Sequence, residues 1–194
     1  MSYTVPSSIL ASYKPAVLRS VFNTFCALFF KSLFRMHVAR LSGRTLYVFD
    51  IDNTIGHTYP TLLRDYTSEK ARMLSIPVFP RMKNLLCSLH HSKSRKVVFL
   101  TSRSYTLWST THDWLELNNI PGSLIDVILV SSPAEKVKLL TTSASKVRIV
   151  YIDDLSWNQE RGELKWYDSE LEAVKKLPIT YIGYKTILRF NSKA

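Results

Sequence analysis

Cysteine is nearly absent from this chain: Cys26 and Cys87 among 194 residues leave no multi-bridge disulfide framework and no four-thiolate zinc site to hold it together. Glycine is sparse at 5 residues, and neither an internal repeat nor a low-complexity tract occurs. Acid is missing from the front. No Asp or Glu precedes Asp50, whereas Lys14, Arg19, Lys31, Arg35, Arg40 and Arg44 do, so residues 1–49 carry +6 of the net +11. A long uncharged apolar run is missing as well. Arg19 and Lys31 bracket 11 residues, a helical rise of roughly 17 Å against a hydrocarbon core of roughly 30 Å, which excludes a conventional transmembrane span.

What is present is ample apolar material, 46% hydrophobic and 12% aromatic residues, enough for one packed interior and too much for a disordered or fibrous chain. The length suits one α/β domain with a short extension. The excess of base favours polyanions: nucleic acid, an anionic membrane face or a phosphorylated ligand. Two parts are expected, a basic extension over residues 1–44 and a domain over 45–194. In the first, Val17, Leu18, Val21, Phe22, Phe25, Leu28, Phe29, Leu33 and Met36 recur at helical spacing with polar residues largely between them, which predicts a basic amphipathic helix. Such a helix serves targeting, peripheral membrane contact or docking on the domain, and the pattern does not choose among them. A cytoplasmic location is expected, with organelle targeting or membrane-surface association through residues 1–44 as the alternative.

From residue 45 onward short apolar runs alternate with helical patterns. Leu46 to Phe49, Val97 to Leu100, Val127 to Val130, Val147 to Ile152 and Thr180 to Ile182 read as strands. Arg81 to His90, Leu107 to Asn118, Ala134 to Thr141 and Ser169 to Leu177 read as helices, with prolines near their ends. The strands are apolar throughout, so the expected fold is a three-layer, Rossmann-like α/β arrangement: a parallel sheet with helices on both faces.

In such a sheet ligands bind beyond the carboxyl ends of the strands, and the residues just there carry oxygen. Asp50-Ile51-Asp52-Asn53-Thr54 follows the first strand, Thr101-Ser102-Arg103 the second and Asp153-Asp154 the fourth. Four converging carboxylates repel unless a hard divalent cation neutralises them, and Mg2+ is the natural candidate. Carboxylate-held Mg2+ commonly completes its shell with phosphate oxygens, so phosphoryl transfer is the expected chemistry. Asp50 is placed to attack phosphorus and Asp52 to shuttle the proton. Thr101 and a lysine of the Ser131–Lys138 segment would hold the phosphoryl oxygens. Lys136 is the choice, and Lys138 stays open.

These residues resemble the motifs of the haloacid dehalogenase-like phosphohydrolase superfamily. Asp50, Asp52 and Thr54 match Asp-x-Asp-x-Thr, Thr101 the second motif, Lys136 the third and Asp153-Asp154 the fourth, in order over roughly residues 45 to 185. The resemblance implies a Mg2+-dependent aspartyl-phosphate mechanism. Its metal ligands would be Asp50, Asp153 and the backbone carbonyl of Asp52, with Asp154 acting through water. Thr54, Ser102 and Arg103 are expected at the substrate. The spaces where this family inserts caps are short here, which implies an open, nearly capless site around a flap at residues 55–80. Asn53 stands where family members often carry Gly, and the second reading is a catalytically weak or inactive module that binds nucleic acid or a membrane. Thr101-Ser102-Arg103 with Trp114-Leu115-Glu116-Leu117-Asn118-Asn119-Ile120 is locally similar to polynucleotide 3′-phosphatases and RNA-repair phosphatases, so polynucleotide ends join the candidate substrates. The same residues serve packing equally well. Arg103 is evenly divided between substrate phosphate and a pairing acid, His57 is read as a solvated loop histidine ahead of a flap contact to substrate, and Trp108, Trp157 and Trp166 receive no role.

Overall fold

The computed structural model describes residues 7–41, 43–92 and 94–192, with side chains from Val17 onward, so residues 1–6 of the expected extension lie outside the described residues. Five strands form one parallel sheet in the order β3-β2-β1-β4-β7: β1 (Thr45–Phe49), β2 (Arg95–Thr101), β3 (Val127–Leu129), β4 (Arg148–Ile152) and β7 (Thr180–Ile182). Their bounds fall within two residues of the apolar runs, because both sheet faces are covered and each strand must be apolar along its length. Leu46, Val48 and Phe49 of the central strand are completely buried.

Helices α2 (Glu69–Leu74), α3 (Pro80–His90), α4 (Trp108–Leu117), α5 (Pro133–Ser143) and α6 (Asp168–Lys175) connect or flank these strands. Their starts follow local chemistry. Pro80 and Pro133 occupy first-turn positions where no N–H is needed, and Ser132 caps α5 by accepting from the Glu135 amide. Two elements had no counterpart in the apolar pattern: a hairpin of β5 (Ser156–Trp157) and β6 (Lys165–Trp166), and a final helix α7 (Tyr184–Ser192) lying against α3.

The amino-terminal helix α1 runs from Ser7 to Ala39 and divides into two stretches. Phe30, Leu33, Phe34 and Val38 join the core and set the helix against β3 and α5. His37 is buried there, with Nε2 2.8 Å from the Ile125 carbonyl oxygen. Between Val17 and Phe29 the large apolar side chains are exposed instead, which departs from a simple amphipathic helix laid on the domain.

The cap-free expectation matches the chain path. After β1 the backbone turns at Asn53, whose φ of +55° is left-handed, a conformation Asn accepts where most side chains do not. The Asn53 side-chain oxygen accepts from the Thr58 and Tyr59 amides at 3.2 and 3.1 Å and so shapes the flap. Gly56 sits beneath Trp114 and Ile76, where a Cβ would stand 2.7 Å from an Ile76 methyl.

Candidate active site

Parallel pairing places the site. Phe49 lies opposite Ile152, and the ladder continues with the Asp50 amide donating to the Ile152 carbonyl at 2.8 Å, so Asp50 and Asp153 emerge side by side. Lys136 reaches between them. Its Nζ donates to Asp50 Oδ1 at 2.6 Å and to Asp153 Oδ2 at 2.8 Å, and all three side chains are buried. Lys136 shares a helix face with buried Leu139 and Leu140, three and four residues on, which is why it points inward. Lys138 points outward to Glu135 at 2.6 Å, so of the two lysines only Lys136 stands beside Asp50 and Asp153.

Asp50, Asp153 and Asp154 each offer an oxygen, and those atoms lie within 4.8 Å of one another. A buried, all-oxygen group of three carboxylates is a donor set suited to a hard cation. Burial is the largest influence on Asp50 and pushes it up to about 7, with Lys136 opposing and the Asp153 and Asp52 charges adding. Asp154 is raised well above the usual range, again first by burial and then by Asp153 and Asp50. Lys136 is raised as well, against its own desolvation: burial alone would lower it, but the Asp153 and Asp50 charges hold it up.

The expected fourth carboxylate stands apart. Asp52 lies beyond the strand end, and its oxygens accept from Arg103 Nε and Nη2, each at 2.8 Å, and from the Thr58 hydroxyl at 2.6 Å. Its carboxylate is therefore outside the three-acid cluster, leaving only its backbone carbonyl for the expected metal role. Burial alone would raise Asp52, but the Arg103 charge and the hydrogen bonds from Arg103 and Thr58 hold it down at about 2. Arg103 is likewise not turned to open space. It is buried on Asp52, the Thr111 hydroxyl at 3.4 Å and the face of Trp114, which makes it a support for Asp52 where a contact to substrate phosphate had been one expectation.

Thr54 is fully buried and ties two loops together. Its hydroxyl donates to Asp154 Oδ1 at 3.4 Å and lies 3.2 Å from the donating Asp154 amide, an arrangement of scaffolding where substrate contact had been expected. Thr101 is buried at the end of β2, and Ser102 beside it is exposed. Sequence reasoning missed several partners. The Tyr151 hydroxyl donates to Asp153 Oδ2, the Tyr181 hydroxyl to the Asp153 carbonyl at 3.0 Å, and Ser156 and Gln159 to Asp154. The Tyr151 signal was available, since strand alternation places it two residues before Asp153 on the same side. Ser156 and Gln159 sit on the unforeseen hairpin region and had none.

Two openings flank the site. One, of about 460 Å³, lies among Asn53, His57, Tyr59, Phe79, Gln159 and Tyr184. The other, of about 970 Å³, runs between α1 and the rim, bounded by Arg19, Asn23, Ser102, Arg103, Tyr105 and Ser131 among others. The pairing of His57 with Tyr59 and Phe79, ring centroids 4.6 and 5.0 Å apart, gives the histidine a packed wall position where a solvated loop had been favoured.

Strand order, the four strand-end motifs and the short connections together define a haloacid dehalogenase-like fold. Two solved structures of the Pnkp1/Rnl/Hen1 RNA repair complex match the chain, each with TM-score 0.51 and 16% identity. The matches cover 73% and 74% of this chain but only 43% and 47% of the others, so the chain spans less than half of the chains it resembles. The HAD domain of effector protein Lem4 from Legionella pneumophila matches at TM-score 0.40 and 15% identity over 73% of this chain and 88% of that one. At these identities the likeness is one of fold. No protein-family profile and no curated protein matches the chain.

Proposed function

We propose that the protein is a Mg2+-dependent phosphomonoester hydrolase working through an aspartyl-phosphate on Asp50. The observation that carries this reading is the convergence of Asp50, Asp153 and Asp154 on one buried point beside Lys136, with Asp52 held separately by Arg103. Three buried acids against one ammonium can all ionise only when a further positive charge joins them, and the donor set fits a hard cation. Asp50, Asp153 and the Asp52 carbonyl would hold it, with Asp154 behind. Mg2+, when bound there, supplies neutralisation of the carboxylates and polarisation of the phosphoryl oxygens.

The side chains divide the remaining work. An Asp50 oxygen attacks phosphorus as the ester oxygen leaves, forming the acyl phosphate, and Lys136 and Thr101 steady the charge on the transferring oxygens. For the first half Asp52 takes up a proton from solvent, against the pull of Arg103, and passes it to the leaving oxygen. In the second half Asp52 accepts a proton from the water that attacks phosphorus, releasing phosphate and restoring Asp50. The ionised carboxylate held by Arg103 and Thr58 is the form suited to that second half.

Nucleotide or polynucleotide-end phosphates are the substrate class placed first. The net charge of +11, the open rim and the fold likeness to an RNA repair complex support it. The test is release of phosphate from a generic aryl phosphate and from 3′-phosphorylated oligonucleotides, with and without Mg2+, with Asp50→Asn as the control. Activity that needs Mg2+ and vanishes in Asp50→Asn supports the reading. A folded protein silent on a broad phosphate panel overturns it and leaves the binding-module reading.

A further inference from the structure

Over residues 17–29, α1 is amphipathic with its sides reversed. At 3.6 residues per turn, Leu18, Val21, Phe22, Phe25, Leu28 and Phe29 fall within an arc of about 120°. Most of that arc is exposed: Leu18 and Phe25 each keep 70% of their surface accessible, while Phe22 borders the groove and Phe29 meets the Trp108 ring edge-on at 5.3 Å. The opposite side carries Arg19, Ser20, Asn23 and Thr24, and these line the groove shared with Ser102 and Ser131. A soluble helix normally turns its apolar stripe to the core and its polar side to water. Here the polar side faces the domain and the apolar stripe faces outward.

We infer that this stripe docks in the plane of an anionic membrane surface. A contiguous outward apolar face of this kind marks an interaction site. Its surroundings select the partner. Lys31, Arg35, Arg40 and Arg44 are exposed beside or beyond the stripe, and no acidic residue occurs among residues 1–49. Bulky apolar side chains flanked by cations are the combination that an interface of anionic headgroups receives, the rings entering the acyl boundary and the cations staying with the phosphates.

The alternatives fit less well. By length and composition Val17–Ala39 passes as a helix able to cross a bilayer, which the Arg19–Lys31 spacing had argued against, but Phe30, Leu33, Phe34 and Val38 are committed to the domain, so the docked helix has only its amino-terminal stretch to offer. A one-sided stripe is also the pattern of a helix lying on a membrane. A second copy of the chain would bring two +6 segments together without an acid between them. The inference is independent of the chemistry at Asp50.

The test is co-sedimentation of the full chain with vesicles of phosphatidylcholine alone and of phosphatidylcholine mixed with phosphatidylglycerol, alongside sedimentation velocity without lipid. Binding to the mixed vesicles, weakened by salt, is expected. The exposed double variant Leu18→Ser/Phe25→Ser should lower partitioning at least about tenfold with thermal stability unchanged. Charge reversal by Lys31→Glu/Arg35→Glu should lower it as well. The inference is overturned if the folded chain stays in the supernatant with both vesicle types, or if the serine variant binds as well as the native chain. Equal binding to neutral vesicles also overturns it, as does a stable dimer without vesicle binding.

Discussion

Arg103 grips Asp52 with two parallel hydrogen bonds, Nε to Oδ2 and Nη2 to Oδ1, each 2.8 Å long. The fork fixes both oxygens of a carboxylate that stands just before the Asn53 turn and is otherwise held only by the Thr58 hydroxyl. Arg103→Lys keeps the charge and loses the fork. Hydrolysis by that variant should fall by about 10²-fold through misplacement of Asp52, while the fold survives. A rate within twofold of the native one would show that Asp52 needs no such support.

Removing the nucleophile or the shuttle should separate the roles of the two acids. Asp50→Asn is expected to lose on the order of 10⁴-fold or more, and Asp52→Asn roughly 10²- to 10⁴-fold. Only Asp52→Asn should still trap phosphate on the protein when followed by mass spectrometry, because Asp50 is intact in it.

Lys136 is the one ammonium within hydrogen-bond reach of Asp50 and Asp153 among the described residues. Lys136→Met should therefore destabilise the metal-free protein, since the carboxylates lose their counter-charge at a buried point. Adding Mg2+ should raise the melting temperature of this variant more than that of the native chain, and Asp153→Asn should abolish the Mg2+-induced rise. Equal Mg2+ shifts in all three proteins, read by scanning calorimetry, would remove the site from these residues.

Gly56 gives a prediction about the flap. A methyl group there would meet Ile76 at 2.7 Å and Trp114 at 3.0 Å, both buried and without room to yield. Gly56→Ala should cost about 1–3 kcal/mol of stability through overpacking, and should reduce activity by shifting Thr58 away from Asp52. Denaturant unfolding measures the first effect and kcat the second.

Acid should loosen α1. Burial lowers the His37 pKa below its ordinary 6.5; the Ile125 carbonyl and Asp126 oppose this, and Lys96 and Arg40 reinforce it. The unfolded ring takes up a proton near pH 6.5, and the folded ring only at lower pH. Between those values the unfolded state binds more protons, so stability is complete above the window and falls as pH drops through it. Asp126, whose pKa is lowered, contributes its own loss in a separate window below 3.8. Melting temperature should decline as pH falls below the ordinary histidine value of 6.5, and His37→Gln should flatten that decline. An unchanged slope in the variant would exclude His37 as its origin.

The parallel sheet was legible because a strand covered on both faces must be apolar at every position, and Val97 to Leu100 and Val147 to Ile152 have no other easy reading. The positions of Asp50, Thr101 and Asp153-Asp154 at strand ends followed from the same runs. Lys136 could be preferred to Lys138 but not separated from it without the Leu139–Leu140 face. The hairpin at Ser156 and Lys165 was invisible, since two-residue strands carry no periodicity, and it brings the residues that bind Asp154. The Arg103–Asp52 fork joins positions 51 residues apart, and no local pattern shows which of many cations reaches which acid. In α1 the helical period was readable, whereas the side turned to the domain depended on what the domain offered it.

The groove beside the rim has one wall, the Arg19–Asn23 side of α1, that belongs to no part of the α/β core. The groove and the acidic cluster are thereby supported on separate pieces of chain. Proteolytic loss of the residues ahead of Phe30 would leave Asp50 and its neighbours in place and strip the entrance of half its lining, turning a shaped approach into a bare rim.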